Sequence, residues 1–485
     1  MPPERLTALL TVLLGTMLAM PVALFEHAPL IDWPNHLARH HLVLATPASE
    51  VLQQLYAVDW HWIPNLGVDL AVLPLQPWIG ASAATRAVLV LSIMGWVVAP
   101  VVLHRAAFGE WSPWPLGSAL FAYNAMLYWG FENAYATAPL VLLALALVIS
   151  LDERRLQLGA LFVSGVVLFT AHLVMWGAYG LCVACWMAAG QTERRWRDLL
   201  WAGVALSPGA VAFVVGQLVA PATHGAGTVW ARALLYKLVA LLAPTYQNNA
   251  AIDVFLLMLA VALLLLGGLY GRLEVHARGA LMLGVVAILA VLAPSQLMGV
   301  WHSDLRLPCL LAVLVFSFTR VEASMWGTML LIGLTIAGVG LRVSTTLVGW
   351  RSHDREVREL VEAGRGILPP GARLLPAGSV PPTHWHSSCW LLLDHDIFHP
   401  QLFHGAHMLS YQPGLFQMDG GPPSREQLLH VEGRTDGLRT WWRDFDVLLW
   451  MEDSPPPLPE RMTELGRGSW FTFYAIDRGM PAPAR

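Results

Sequence analysis

Long uninterrupted apolar runs dominate the first three quarters of the chain. Residues 6–25 follow a single arginine, Arg5, with about 20 apolar positions, enough helix to cross a ~30 Å hydrocarbon core. The run is long for the apolar part of a secretion signal, and Met20-Pro21-Val22-Ala23 only weakly resembles a cleavage site, so the pattern predicts an uncleaved first span. Further stretches of spanning length, or nearly so, are 83–103, 114–130, 134–151, 156–171, 173–190, 199–219, 252–271, 279–298, 304–320 and 323–343. The pair around His172 divides one run too long for a single crossing, since a helix rises ~1.5 Å per residue. About eleven transmembrane helices are expected.

From about residue 350 the pattern changes. Charges, prolines and histidines replace the long runs. Residues 354–363 have helical spacing, with Val357, Leu360 and Val361 on one face. Residues 391–393, 446–450 and 470–476 read as short strands, and Ser454-Pro455-Pro456-Pro457 as a breaker. The expected division is a transmembrane domain over 1–349, with outer loops 26–82 and 220–251, and a small soluble α/β domain over 350–485. No internal repeat is evident.

Composition agrees. Of 485 residues 56% are hydrophobic and 13% charged, against ~25% charged in ordinary soluble chains. A net charge of -4 gives no ground for nucleic-acid binding. The four cysteines, Cys182, Cys185, Cys309 and Cys389, suggest no disulfide framework. Inside an apolar helix, the Cys182-x-x-Cys185 pair reads as core packing.

Charge also orients the chain. With the N-terminus inside, Arg105, Arg154, Arg155, Arg194, Arg195, Arg197, Arg272, Arg278 and Arg320 fall in short loops on the same side. Arg39, Arg86, Arg232, Lys237, Arg306 and Arg342 are spread over longer segments on the other. This is the positive-inside bias. It requires 66–80, which holds Asp69, Pro74 and Pro77, to lie on or dip into the outer surface. The C-terminal domain is then outside.

The first outer loop carries the most suggestive chemistry: Asp32-Trp33-Pro34-Asn35-His36-Leu37-Ala38-Arg39-His40. Pro34 suits a first helical turn. Asp32 is then either that helix's N-cap or a carboxylate free to act. His36, Arg39 and His40 share a face by their three- and four-residue spacing. A cationic, imidazole-bearing face beside a carboxylate at a membrane surface suits a phosphate-bearing lipid and a proton acceptor.

A membrane helix, then an outer-loop acid, a proline and a surface helix resembles the GT-C fold glycosyltransferases, which depend on polyprenyl phosphates. The acid of Asp32-Trp33-Pro34-Asn35-His36 matches their catalytic position. Pro64-Asn65-Leu66-Gly67-Val68-Asp69, Tyr123-Asn124 and Trp129-Gly130-Phe131-Glu132-Asn133 are similar to segments of uncharacterised bacterial membrane proteins in that superfamily. The likeness covers roughly residues 1–345 in layout. It implies a bacterial inner-membrane, multi-pass enzyme with a cytoplasmic N-terminus and a periplasmic C-terminal domain. That enzyme would move a sugar from undecaprenyl phosphate to a glycan, lipid or protein acceptor. One departure concerns metal. Many relatives pair two acids in this loop, whereas here the nearest are Glu26 and Asp59. No cofactor is expected from the residues, and a divalent metal stays an open alternative.

Such chemistry needs a base for the acceptor hydroxyl and positive charge for the departing phosphate. Asp32 is the candidate base. His36, Arg39, His40, Arg232, Lys237, Arg306, Glu132 and Asn133 are the candidate lipid-phosphate and substrate residues. Residues 228–243 could form an amphipathic surface helix bearing Arg232 and Tyr236. Snorkelling at the interface accounts equally well for its basic residues. His384, His386, His395, His399, His404 and His407 form a C-terminal histidine cluster, with 384 and 386 alternating as on a strand. Its spacing matches no metal motif. Two other readings remain: a transporter or flippase for lipid-linked glycans, which would show inverted repeats, and an O-antigen-type polymerase or ligase.

Overall fold

The computed structural model describes residues 2–60, 62–190, 195–219, 228–230, 234–297, 300–403, 408–415, 418, 421–424, 427, 444–452, 454 and 462–476. They form two compact units: 1–24, 62–71 and 86–347 in the first, and 25–61, 72–85 and 348–485 in the second.

Helix α1 (Pro3–Leu24) forms on the first apolar run. α2 (Trp33–Ala45) carries Pro34 in its opening turn, and α3 (Glu50–Leu55) is capped by Ser49, whose Oγ accepts from Leu52 N at 3.2 Å. The stretch 66–80 folds into two short helices, α4 (Gly67–Val72) and α5 (Gln76–Ile79), neither long enough to cross a bilayer. There follow α6 (Ala81–Phe108), α7 (Ala125–Tyr128), α8 (Glu132–Ser150), α9 (Arg154–Ala171), α10 (Leu173–Ala188) and α11 (Arg195–Val219). The remaining helices are α12 (Leu234–Ala240), α13 (Ala250–Tyr270), α14 (Ala277–Leu292), α15 (Arg306–Ser317) and α16 (Met325–Gly364).

Seven of these helices are long and apolar enough to cross a membrane: α1, α6, α8, α9, α11, α13 and α16. α10 and α14 are shorter apolar helices. Against the expected eleven or so, these nine are the apolar helices of spanning or near-spanning length among the described residues. Residues 114–130 are not a span. They form a 3-10 turn over Trp114–Phe121 and the four-residue α7, whose first amides (Met126 N and Leu127 N) are capped by Asn124. Positions 114–128 are all buried, so their apolar character reflects packing within the protein. Pro113 and Pro115 favour the tight turn, and Gly117 is required because a Cβ there would stand 2.3 Å from the Phe316 ring. The stretch 304–320 yields only the 12-residue α15, ~18 Å of helix.

The first unit holds a buried ion pair, Arg342 Nη2 to Asp253 Oδ1 at 2.7 Å, with side chains 3% and 1% exposed. Asp253 Oδ2 also accepts from Gln247 N and Asn249 N, each at 3.0 Å. An uncompensated charge there would be costly, so each partner is needed by the other. The α9–α10 break is real: His172 is extended and its Nδ1 accepts from Met175 N at 3.3 Å, capping α10. All four cysteines are free and buried.

The strands are β1 (Tyr56–Val58), β2 (Gly271–Val275), β3 (Gln296–Leu297), β4 (Val300–Trp301), β5 (Thr319–Ala323), β6 (Leu374–Ala377), β7 (Leu409–Tyr411), β8 (Val447–Trp450), β9 (Met462–Arg467) and β10 (Thr472–Ile476). In the second unit β6, β8, β10 and β9 form one sheet in that order, with β6–β8 parallel and the other pairs antiparallel. Every residue of β6 and β8 is buried, as expected of apolar runs in a sheet covered on both faces. Ala38, Leu42, Leu52 and Tyr56 share one core with Leu374, Leu448 and Phe473. Thus α2 and α3, from the 26–82 segment, contribute to the core of the unit that contains the C-terminal sheet. Residues 446–450 and 470–476 contain β8 and β10 as expected. Residues 391–393 do not form a strand but end a 3-10 turn, Ser387–Leu393.

Candidate functional site

In the second unit, Asp32 immediately precedes α2. It occupies the N-cap position, but its side chain makes no capping bond. The carboxylate is 20% exposed, and its Oδ1 lies 3.6 Å from His386 Nε2. Asn35, one turn into α2 and fully buried, settles what His386 offers. Asn35 Oδ1 accepts from Phe403 N at 2.8 Å, so the opposite atom is the amide nitrogen. That Nδ2 donates to Gln401 O at 2.7 Å and faces His386 Nδ1 at 3.2 Å. His386 Nδ1 is therefore an acceptor and its proton sits on Nε2, toward Asp32. Burial pushes the imidazole down to about 4, so it is neutral near pH 7. The neutral ring N–H stands 3.6 Å from the carboxylate, too long for a direct hydrogen bond, so it faces Asp32 without placing a charge beside this candidate base.

The 397–403 loop that supplies these partners is pinned by two tyrosines. Tyr56 Oη donates to Ile397 O at 3.0 Å and accepts from His399 N at 2.9 Å. Tyr411 Oη donates to His399 O at 3.0 Å and accepts from Leu402 N at 2.8 Å. They sit on β1 and β7, which pair antiparallel with Tyr56 opposite Tyr411. His399 is committed structurally: its Nδ1 accepts from Gln401 N and its Nε2 faces Ser388 Oγ at 2.8 Å.

His36, Arg39 and His40 share a face as their spacing predicts, but α2 is not a surface helix. Ten of its 13 residues are buried, and Arg39 and His40 are wholly so. Arg39 Nη2 stands 3.4 Å from both His36 Nδ1 and His40 Nε2. The apolar side of α2, with Leu42 and Ala38, packs into the core, and this draws the polar side inward too.

The first unit carries a separate polar and aromatic cluster. His302 has a left-handed backbone (φ 51°), uncommon for a residue with a side chain and typical of functional positions. Its ring lies against Trp129, tilted by 33° with centroids 4.3 Å apart, and its Nδ1 lies 3.2 Å from Tyr236 Oη. Burial holds the His302 imidazole below its usual range. The Arg306 guanidinium covers the Phe131 ring at 4.8 Å and donates to Trp301 O at 3.2 Å. Lys237 Nζ is ion-paired with the fully buried Asp304 at 2.9 Å and also donates to Ala293 O. Asp304 thus holds the chain's sole lysine.

Glu132 is buried in the opening turn of α8. Asn133 plays a positioning part: its Oδ1 accepts from Val68 N at 2.7 Å and its Nδ2 donates to Asn65 O at 3.0 Å. Leu66 N bonds to Thr170 O, and Leu173 N to Pro64 O, so the Pro64–Asp69 segment is laced into the α9–α10 break. Gly67 is needed there, since a Cβ would meet Ala171 at 3.0 Å. Arg232 lies outside the described residues, as do His404 and His407. Of the expected amphipathic helix over 228–243, the described part is α12 alone.

His384 and His386 do not alternate on a strand. His384 ends a 3-10 turn, Pro382–His384, and His386 precedes the next. For a metal at Asp32 the fit is poor. Among the described residues Asp32 belongs to no group of three or more ligands close enough to share an ion. Glu26 accepts from Ser82 Oγ at 3.1 Å instead.

These features define a polytopic helical membrane protein of the GT-C fold with a small C-terminal sheet domain. Among solved structures, the chain is similar to ArnT from Cupriavidus metallidurans, determined bound to undecaprenyl phosphate, with a TM-score of 0.58 over 97% of each chain. Sequence identity is 11%, so the likeness is one of fold. Neither a protein-family profile nor a curated protein sequence matches the chain.

Proposed function

We propose that this protein is a glycosyltransferase of the bacterial inner membrane. It takes a sugar from undecaprenyl phosphate, or a similar polyprenyl phosphate, and delivers it to a glycan, lipid or protein acceptor in the periplasm. The N-terminus is cytoplasmic and the C-terminal domain periplasmic. Asp32 removes the proton as the acceptor oxygen bonds to the sugar's anomeric carbon. The bond from that carbon to the phosphate oxygen breaks, and the lipid phosphate leaves with the electron pair. Arg306 and Lys237, with Arg39 and Arg232, are the cationic residues assigned to the phosphate, and His36, His40, Glu132 and Asn133 to the substrates. No nucleotide takes part.

The observation that carries this reading is the Asp32–His386–Asn35 arrangement: a partly exposed carboxylate addressed by a neutral N–H whose tautomer a buried amide fixes. The GT-C fold adds support, because ArnT was determined with undecaprenyl phosphate bound. A flippase would gain nothing from a fixed base.

The test compares lipid-linked and surface glycans, by mass spectrometry, in cells with the wild-type gene, a deletion, or Asp32→Asn. Loss of a general base costs ~10²–10⁴ in rate. The deletion and Asp32→Asn should therefore both lose the same glycan modification and accumulate its lipid-linked donor. Unchanged glycans in the deletion overturn the proposal, and wild-type glycans with Asp32→Asn overturn the base.

A further inference from the structure

A second constellation in the second unit is unrelated to Asp32. His353 and Glu356 lie three apart on the last turns of α16 and so share a face. His384, at the end of the Pro382–His384 turn, comes up against them. Its ring meets that of His353 at 4.5 Å and 64°, and its Nε2 lies 3.2 Å from Glu356 Oε2. One ligand atom from each of the three lies within 4.8 Å of the others.

We propose that His353, Glu356 and His384 bind a divalent transition-metal ion of the zinc class, with water in a fourth position. Two imidazoles and a carboxylate are a zinc donor set, and ligands at ~2.0–2.2 Å from one tetrahedral ion stand about 3.4 Å apart. The His384–Glu356 pair already has that separation. Glu356, whose side chain is 40% exposed, has the freedom to close the rest.

A simple His–Glu ion pair leaves one fact unexplained. His353 Nε2 is buried and makes no hydrogen bond among the described residues, a costly condition that a metal bond would relieve. The groups behind the ligands also act as orienters. Thr383 Oγ1 faces His384 Nδ1 at 3.4 Å, which leaves Nε2 for the ion. Ser352 Oγ donates to Glu356 Oε1 at 3.0 Å, which leaves Oε2. Trp470 flanks His384 at 4.7 Å and donates from Nε1 to Glu356 O at 3.1 Å. Glu359, one turn on, accepts from Ser469 N at 2.8 Å. The ion would cross-brace α16, the 381–384 turn and the strand-entry residues before β10.

The full-length protein, with its affinity tag removed, is stripped with EDTA and titrated with Co²⁺, then Zn²⁺. One equivalent of Co²⁺ should give the visible bands of a low-coordinate site, which Zn²⁺ abolishes, and Zn²⁺ should raise the melting temperature. The paired substitution His353→Ala/His384→Ala should lose the bands and the shift, whereas His399→Asn should keep the bands. Absence of binding by the wild-type chain overturns the proposal, as does binding retained in the paired variant. If that variant fails to fold, an anomalous-scattering map of zinc-loaded wild-type crystals decides. A peak among the three side chains supports the site, and a peak elsewhere or none refutes it.

Discussion

Replacing Asn35 by leucine tests the arrangement around Asp32 without touching the carboxylate. Leucine keeps the branching but replaces the amide's O and NH2 with bulkier methyl groups, so the change removes polarity and adds some bulk. Phe403 N would lose its acceptor, Gln401 O its donor, and His386 Nδ1 the donor that fixes its tautomer. A buried backbone group left without a partner costs ~1–3 kcal/mol, so the two backbone groups amount to about 2–6 kcal/mol. Burying leucine returns roughly 1.5–3 kcal/mol. The net is about 2 kcal/mol, or a fall of ~4–8 °C in the melting of a domain of this size class. Tryptophan fluorescence of the protein in lipid nanodiscs reads the transition, and hydrogen exchange of the 397–403 loop should rise with it. Asp32→Asn is the comparator. Its side chain is partly exposed and makes no capping bond, so its stability should change by under ~1 kcal/mol. If Asn35→Leu melts with the wild type, or no worse than Asp32→Asn, the amide does not hold the loop and the His386 tautomer argument fails.

Three further outcomes follow from the same coordinates. His386 is held at about 4 when folded against ~6.5 when unfolded, so between those values the unfolded chain binds a proton that the folded chain does not. Stability is full above pH 6.5 and falls, by up to about 3 kcal/mol for this group, as pH drops toward 4; melting against pH should be flatter in His386→Gln, and equal slopes would refute the burial argument. Arg342→Met leaves Asp253 charged and buried, and should destabilise the first unit by ~3–5 kcal/mol, read as loss of folded protein in detergent on heating. Gly378→Ala combines a positive φ of 125° with a Cβ 2.9 Å from Met451 backbone atoms; backbone strain and overpacking at ~1–3 kcal/mol each should sharply reduce folded yield, and wild-type yield would contradict the close approach.

The long spans were legible because a helix in lipid must be apolar on all sides over a fixed length, a condition few other structures meet. The same signal misled at 114–130. A segment buried inside the protein is also apolar all round, and periodicity cannot separate the two cases. Only Pro113, Pro115 and Gly117 hinted at the difference. At the candidate site, Asp32 and the shared face of His36, Arg39 and His40 could be read locally, because both depend on helix geometry within one turn or two. His386 could not be linked to Asp32, because more than 350 residues separate them and no local pattern encodes the contact. Asp304 could not be matched with Lys237 for the same reason. The C-terminal histidines were visible as a group, yet sequence gave no basis for sorting them. His386 addresses Asp32, His399 holds a loop, and His384 turns toward α16.

The burial of α2 changes what its charges can mean. Read as a surface helix, it offered three cationic groups to a lipid phosphate. Folded, Arg39 has two imidazole nitrogens 3.4 Å from one Nη. A guanidinium only donates, so both nitrogens must be unprotonated acceptors for these contacts to stabilise anything. The three groups thus face one another inside the protein, rather than standing as three separate cations on a surface. Lys237, in the first unit, is likewise compensated by Asp304. If a phosphate is bound, its recognition must come less from the number of cations than from a few fixed N–H groups in a dry setting, where each is worth more than in water. Salt provides the discriminating measurement. A diffuse cationic surface would release undecaprenyl phosphate as ionic strength rises, whereas fixed buried donors are screened little. Affinity that changes less than about twofold between low and physiological salt would support buried donors. A steep loss would refute recognition by buried donors.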